Sequence, residues 1–241
     1  MEGTERKVFL LPGSKVTGPG EGKALFRLRF LQLRRDPTFL LLGGGAILLT
    51  LLSTCLAPLP ALEGGRVWAD FLLSGLQACL LLFSLSLLLL PEGGLLARLP
   101  ALPGNPFRGR LAWFFAEWGA TILLVLPALA LGWLLLPRPW GRNLLLPSLV
   151  LLFQGAFLVS LASFARTFLG RAAGTVFLLA FWILLSLPPL SWADPRGMAP
   201  GSLTGGGGSP IGAFLLWAGS AWFFLSLQAG GQKSAPRRGD A

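Results

Sequence analysis

Histidine and tyrosine are both absent from the 241-residue sequence. Without histidine, the chain has no bis-histidine haem ligation, no histidine-bound zinc and no histidine general base of its own. Cysteine is scarce as well, since Cys55 and Cys79 are the only two and each lies in a predicted membrane helix. Neither a disulfide framework nor a metal cluster is indicated. We therefore predict a protein that is not an enzyme and that carries no cofactor.

Charge is also scarce, because only 12% of the residues are charged and 54% are hydrophobic. Soluble domains have roughly 25% charged residues. The apolar residues occur in runs of about 20, the length that an α-helix needs to cross a hydrocarbon core of roughly 30 Å. The sequence therefore predicts an all-α polytopic membrane protein with six transmembrane helices, preceded by an N-terminal interfacial amphipathic helix.

The apolar runs define the predicted domain organisation. A cytoplasmic tail covers residues 1–21, a six-helix transmembrane domain covers residues 22–230, and a second cytoplasmic tail covers residues 231–241. The six predicted spans are residues 38–57, 68–90, 111–136, 143–165, 173–192 and 211–229. A glycine-rich loop, with the run TGGGGSP, separates the fifth span from the sixth.

The segment GKALFRLRFLQLRRD, residues 22–36, has the pattern of an imperfect amphipathic helix on the inner membrane surface. One helical face carries Lys23, Arg27 and Arg34. The leucines that lie elsewhere on this helix are Leu25, Leu28 and Leu33. Arg29 interrupts the pattern, and Pro37 marks the entry into the first span.

The basic residues indicate the topology of the chain. The net charge is +10, but the 20 Lys and Arg residues flank the spans and form no basic domain, so nucleic acid is not expected as a partner. With the N-terminus inside, sixteen of them lie in inner segments and four in outer loops. Because short loops rich in Lys and Arg stay in the cytoplasm, both termini are predicted to be cytoplasmic. Abundant Arg, Gly, Pro, Ala and Leu suggest a GC-rich bacterial genome, hence a bacterial plasma membrane.

No stretch matches GxxxxGK[ST], so the chain has no phosphate-cradling loop and any ATP-driven activity requires an ATPase on another polypeptide. The longest predicted cytoplasmic loop between spans is PEGGLLARLPALPGNPFRGR, residues 91–110. A short, basic, apolar helix is predicted before its prolines. Such an element either docks on a partner protein or lies on lipid.

An N-terminal interfacial helix, six spans and a coupling element between the second and third spans resemble the permease subunits of ABC-2 type exporters. Over residues 22–230 the chain looks most like the haem-exporter protein B family of cytochrome c maturation. That family's run of an acidic residue, Gly, Ser, Leu and Glu is approximated by Glu92, Gly93, Gly94, Leu95 and Leu96, with Pro100 and Pro103 beyond. Trp118 corresponds to a tryptophan of the family's third span. Two positions depart from the pattern, since Gly94 replaces Ser and Leu96 replaces Glu.

The resemblance implies a permease subunit that couples ATP hydrolysis by a separate ATP-binding subunit to the export of an amphipathic, haem-related substrate. The implied partners are that ATP-binding subunit, membrane lipid, and either a second copy of the chain or another membrane subunit. The residues expected to couple to the ATPase are Glu92, Gly93, Leu95, Leu96, Arg98 and Arg108. The alternative is a non-transporting accessory or assembly subunit of a larger membrane complex. A lipid-modifying transferase is disfavoured because histidine and clustered carboxylates are missing.

Two polar residues within the predicted spans are candidates for function. Glu117 is the only carboxylate well inside a predicted span, and an ionisable residue there is by default a functional hypothesis. The structural alternative is an ion pair, for which Arg110 and Arg166 are the expected partners. Gln154, in the fourth predicted span, is more simply explained as a helix-to-helix hydrogen-bonding group.

Overall fold

The computed structural model describes residues 21–55, 64–89, 106–135, 138–185 and 210–231. These residues form seven α-helices and no strand, which confirms the predicted all-α class. The helices are α1 (Glu21–Arg34), α2 (Pro37–Thr54), α3 (Gly64–Leu89), α4 (Pro106–Leu135), α5 (Arg138–Phe168), α6 (Gly170–Leu185) and α7 (Pro210–Gly231).

Five of the helices are long and apolar enough to cross a membrane. Their apolar stretches are Pro37–Thr54, Val67–Leu89, Gly109–Leu135, Leu145–Phe168 and Ile211–Gln228. They correspond to the first, second, third, fourth and sixth predicted spans. The helix at the fifth predicted span has a shorter apolar stretch, Gly170–Ile183, and residues 186–192 of that span lie outside the described residues. The chain is thus a multi-pass α-helical membrane protein.

The junctions between neighbouring helices follow from local sequence. Asp36 caps α2, because its side-chain oxygen accepts a hydrogen bond of 2.8 Å from the backbone N–H of Thr38. Pro37 then occupies the first turn of α2, where its missing N–H costs nothing. At the other short junction, Gly170 has φ 76°, a left-handed conformation that glycine adopts without strain. That residue allows α6 to follow α5 directly.

The long helices alternate in direction, so that the bundle has two distinct ends. The end that carries α1 also holds the beginnings of α2, α4 and α6 and the final turns of α3, α5 and α7. Three contacts define this α1 end: the rings of Phe39 and Phe83, Arg166 with the Leu87 carbonyl, and Ser163 with Gln228. At the opposite end of the bundle, the last turns of α4 meet the first turns of α3, where a Cβ atom on Gly132 would lie 3.5 Å from the Trp68 ring.

The α5 helix is the centre of the bundle and packs against α3, α4, α6 and α7. Small residues allow the backbones to approach closely, as is usual where membrane helices pack. Gly155 is one example, because a Cβ atom there would lie 3.2 Å from the Thr121 methyl group of α4 and 3.6 Å from Leu80 of α3. The three helices therefore meet in close contact at this glycine.

The outer surface of the spans is apolar. Large hydrophobic side chains such as Leu41 of α2, Leu134 of α4 and Ile211 of α7 are among the most exposed in the described part of the chain. The fully buried positions, by contrast, include polar side chains such as Thr50, Ser84 and Glu117. A hydrophobic exterior around a partly polar interior is the arrangement that lipid requires.

Candidate functional site

The most polar part of the described interior surrounds Glu117, in the first half of α4. Arg110, Trp113, Glu117 and Thr121 follow one another at intervals of three or four residues, which places them along one face of the helix. Glu117 is 1% exposed. A carboxylate that is removed from solvent in this way needs cationic or hydrogen-bonding partners, because an unpaired buried charge is costly.

Arg29 of α1 is the principal partner of Glu117. Its Nη2 and Nε atoms donate to the Glu117 Oε1 atom at 2.5 and 3.1 Å. Its Nη1 atom donates to Gln32 Oε1 at 3.2 Å, one turn further along α1. Arg29 is itself 1% exposed, so both members of the ion pair are buried. This contact fastens the short N-terminal helix to the third span of the chain.

Trp113 contributes twice to the same ion pair. Its indole N–H donates to Glu117 Oε1 at 3.0 Å, from one turn earlier on α4. The Arg29 guanidinium carbon lies 4.6 Å from the centre of the Trp113 ring, in cation–π geometry. The indole therefore stabilises the anion through its N–H and the cation through its ring.

Arg166, near the end of α5, extends this network to two further helices. Its Nη2 atom lies 3.9 Å from Glu117 Oε1, and its Nη1 atom donates to the Leu87 carbonyl of α3 at 3.2 Å. Arg166 is 7% exposed. Side chains from α1, α4 and α5 thus converge on one carboxylate at the α1 end of the bundle, and Arg166 also bonds to a carbonyl of α3. The carboxylate therefore connects α1 and α4 to the central helices of the bundle.

The sequence-based expectation for the partner of Glu117 was incomplete. Of the two arginines expected, Arg166 lies at the edge of ion-pair distance, whereas Arg110 makes no ion pair with Glu117 in the described part of the chain. The closest partner, Arg29, was not considered because it lies 88 residues earlier in the sequence. A signal was present, since Arg29 is spaced four residues from both Leu25 and Leu33 and so occupies an apolar face of α1.

Gln154 lies near the middle of α5 and accepts a hydrogen bond of 3.1 Å from the side-chain amide of Gln77 on α3. Two comparable interhelical contacts surround it. The Trp118 indole donates to the Leu152 carbonyl at 3.1 Å, and the Gln228 amide of α7 donates to the Ser160 carbonyl at 3.3 Å. Polar pairs of this kind each contribute about 0.6 kcal/mol on average in a membrane protein. Gln154 acts here as a link between helices.

Six residues are expected from the sequence to couple to the ATPase. Glu92, Gly93, Leu95, Leu96 and Arg98 lie outside the described residues. Arg108 belongs to the first turn of α4, and α4 also carries Glu117. A force on the segment before α4 would therefore act on the helix that carries the buried carboxylate.

Metal-binding groups are not found together in the described part of the chain. No cluster of three or more His, Cys, Asp or Glu side chains occurs among the described residues. Cys55 is exposed just beyond α2 at the opposite end of the bundle, whereas Cys79 is buried within α3.

Comparison with known proteins adds no relative. No family model matches the chain, and neither a curated protein nor a solved structure matches it.

Proposed function

We propose that this chain is the membrane permease subunit of an ABC-2 type exporter in a bacterial plasma membrane, with the α1 end of the bundle in the cytoplasm. A separate ATP-binding subunit docks at that end and supplies the energy, and the exported molecule is amphipathic. The observation that carries the proposal is the buried contact between Arg29 of α1 and Glu117 of α4. It gives a helix outside the bundle a rigid connection to a membrane span.

The proposed mechanism is a mechanical one. Closure of the ATPase pushes on α1 and on residues 91–110, which lead into α4. Because Arg29 is paired with Glu117, and Arg166 lies 3.9 Å from Glu117 and bonds to the Leu87 carbonyl of α3, the push reaches four helices at one point. The spans then tilt as units and open a path for the substrate, in the copy itself or between two membrane subunits. The resemblance to haem-exporter protein B makes haem the first substrate to test.

The distribution of positive charge supports the proposed orientation. Among the described residues, the helices place nine Lys and Arg at the α1 end and three at the opposite end. The nine are Lys23, Arg27, Arg29, Arg34, Arg35, Arg108, Arg110, Arg166 and Arg171. The end richer in cations is the one expected to stay in the cytoplasm.

Copurification tests the proposal. The tagged chain, solubilised from its own host, is expected to retain a protein that carries the phosphate-binding loop motif, as identified by mass spectrometry. Reversing the charges of Arg98 and Arg108 together to Glu is expected to reduce the retained ATPase several-fold without loss of membrane insertion. The matched control reverses Arg138 and Arg142, which begin α5 at the opposite end, and is expected to retain the ATPase.

A non-transporting accessory subunit is the second candidate. It is favoured by the paired state of the interior amides, since Gln77 and Gln154 bond to each other and so act as a structural tie. If no ATPase is retained by the unmodified chain, while other membrane proteins are, the accessory function replaces the exporter. If the ATPase is retained equally by both charge-reversal variants, the proposed docking segment is wrong.

A further inference from the structure

The buried network around Glu117 contains more positive than negative charge. Two arginines approach Glu117, Arg29 from α1 and Arg166 from α5, and a third, Arg110, lies two turns before Glu117 on the same face of α4. Within the described residues, Glu117 is the only carboxylate within ion-pair distance of any of them. Arg29 takes most of that charge, because two of its nitrogens bond directly to Glu117 Oε1. Little negative charge therefore remains to compensate the positive charges of Arg110 and Arg166.

Arg110 is the less satisfied of these two residues. Its Nη1 atom is buried and has no hydrogen-bond acceptor in the described part of the chain, although the residue as a whole is only partly buried. Arg110 lies two turns before Glu117 on the same face of α4, and Arg166 approaches that face from α5. In the described part of the chain, the partners of Arg166 are the Leu87 carbonyl and Glu117, the latter at 3.9 Å. Two neighbouring guanidinium groups in surroundings of low polarity repel each other unless an anion lies between them.

Phosphate oxygens suit this arrangement better than other anions. A guanidinium group presents its N–H donors in a planar fork that matches two oxygens of one phosphate. Arg110 stands at the beginning of the apolar stretch Gly109–Leu135, where the headgroups of a lipid leaflet are expected. Phe168 and Leu169, just beyond Arg166, are both exposed and apolar, so that acyl chains have a surface beside the arginines.

We propose that Arg110 and Arg166 form a binding site for a phosphate group at the α1 end of the bundle, occupied by the headgroup of an anionic phospholipid. The bound phosphate compensates the surplus charge beside Glu117 and holds α4 against α5. This site is independent of the proposed transport function, since an accessory subunit with the same fold would contain it as well.

The experiment measures lipid binding and thermal unfolding of the purified full chain in detergent. Phosphatidylglycerol, zwitterionic phosphatidylcholine and inorganic phosphate are the three probes. We expect phosphatidylglycerol to remain bound in native mass spectrometry and to raise the unfolding temperature, and phosphatidylcholine to do neither. Arg110→Gln is expected to weaken phosphatidylglycerol binding about tenfold or more, the effect of losing a charge-assisted hydrogen bond. The control Arg27→Gln removes an exposed arginine of α1 and is expected to change binding less than twofold.

A second readout separates a ligand-binding arginine from a structural one. In lipid-free detergent, Arg110→Gln is expected to unfold at the same temperature as the wild type or higher, because it removes a poorly compensated buried charge. With phosphatidylglycerol, Arg110→Gln is expected to unfold at a lower temperature than the wild type. An arginine with a purely structural role would lower the unfolding temperature in both conditions. Arg110→Lys keeps the positive charge but loses the planar arrangement of N–H donors. With phosphatidylglycerol, its unfolding temperature is expected to lie between those of the wild type and the Gln variant.

Each outcome either supports or overturns the phosphate site formed by Arg110 and Arg166. Protection by inorganic phosphate that equals that of phosphatidylglycerol, and that is lost in Arg110→Gln, supports the phosphate site and assigns it to a soluble phosphate compound. Equal weakening by Arg110→Gln and Arg27→Gln would overturn the site, because lipid binding would then depend only on overall charge. Absence of protection by any of the three probes would overturn it too.

Discussion

Glu117 and Arg29 form a buried ion pair in which each side chain needs the other. Replacing Glu117 with Gln keeps the shape of the side chain but leaves Arg29 buried without its anion. Breaking a buried pair by removing one partner typically costs about 3–5 kcal/mol. We therefore expect Glu117→Gln to lower the free energy of unfolding by an amount in that range, measured by denaturant titration of the chain in detergent.

The matched variants separate the pair from general effects of charge. Arg29→Gln is expected to be destabilising to a similar degree, and the double variant to be less destabilised than the sum of the two single variants. Arg27→Gln, on the exposed side of the same helix, is expected to change the unfolding free energy by less than about 0.5 kcal/mol. A Glu117→Gln protein as stable as the wild type would show that water or other groups satisfy Arg29 equally well.

The sequence predicted that Glu117 would be paired, but it did not predict the partner. The rarity of carboxylates in apolar spans makes one such residue conspicuous, and its need for a cation follows from the cost of a buried charge. The choice among cations depends on how α1 rotates against α4, and no local pattern determines that rotation. Leu33 is buried whereas Leu28 is exposed, although both are leucines of one short helix.

The helices α3, α4 and α5 pack closely at Gly155, and this packing can be tested without changing any charge. Gly155 of α5 faces the Thr121 methyl group and Leu80, and a Cβ atom at this position would already lie 3.2 Å from that methyl group, so no space remains for a larger side chain. Gly155→Leu is expected to force α3, α4 and α5 apart and to lower the unfolding free energy by about 1–3 kcal/mol or more, as overpacking does. The loss of stability is expected to appear as a lower denaturant concentration at the unfolding midpoint, measured in detergent.

Gly44 of α2 provides the control, because a Cβ atom there would meet nothing within 4 Å. Gly44→Leu is expected to be neutral or slightly stabilising, since glycine within a helix costs roughly 0.5–1 kcal/mol relative to alanine. If both leucine variants lower stability equally, the effect comes from helix propensity and the packing described for Gly155 is wrong.

Element boundaries were more predictable than contacts between elements. The first predicted span began at residue 38 and α2 begins at Pro37, because the capping aspartate and the proline are local signals. The fifth span was predicted as residues 173–192, whereas α6 is described as Gly170–Leu185. Hydropathy does not register Gly170, whose positive φ joins α5 and α6 without a loop. The contact between Gly155 and Thr121 depends on tertiary structure, and the hydrophobic periodicity of the sequence does not predict it.

For the whole molecule, the orientation in the membrane is open to chemical labelling. Cys55 is exposed and would contribute background, whereas Cys79 is buried, so the probes are placed in a Cys55→Ser chain. A membrane-impermeant maleimide applied to intact cells is expected to modify a cysteine at position 206 and to leave one at position 104 unmodified. Permeabilised cells are the control, in which both positions should react. Equal labelling in intact cells would contradict the proposed cytoplasmic placement of the α1 end.

The separation of 88 residues between Arg29 and Glu117 has a consequence for biosynthesis. At ~5–20 residues per second, Arg29 leaves the ribosome on the order of ten seconds before Glu117 does. Arg29 has therefore already left the ribosome when α4 enters the membrane. A cation is thus available to the nascent carboxylate, whose insertion unpaired would cost up to roughly 2.5–3.5 kcal/mol, the value for an ionised side chain at the middle of a helix. Synthesis from the N-terminus thus supplies the cation before the anion. A circularly permuted chain that makes α1 last would leave Glu117 without Arg29 until its synthesis ends.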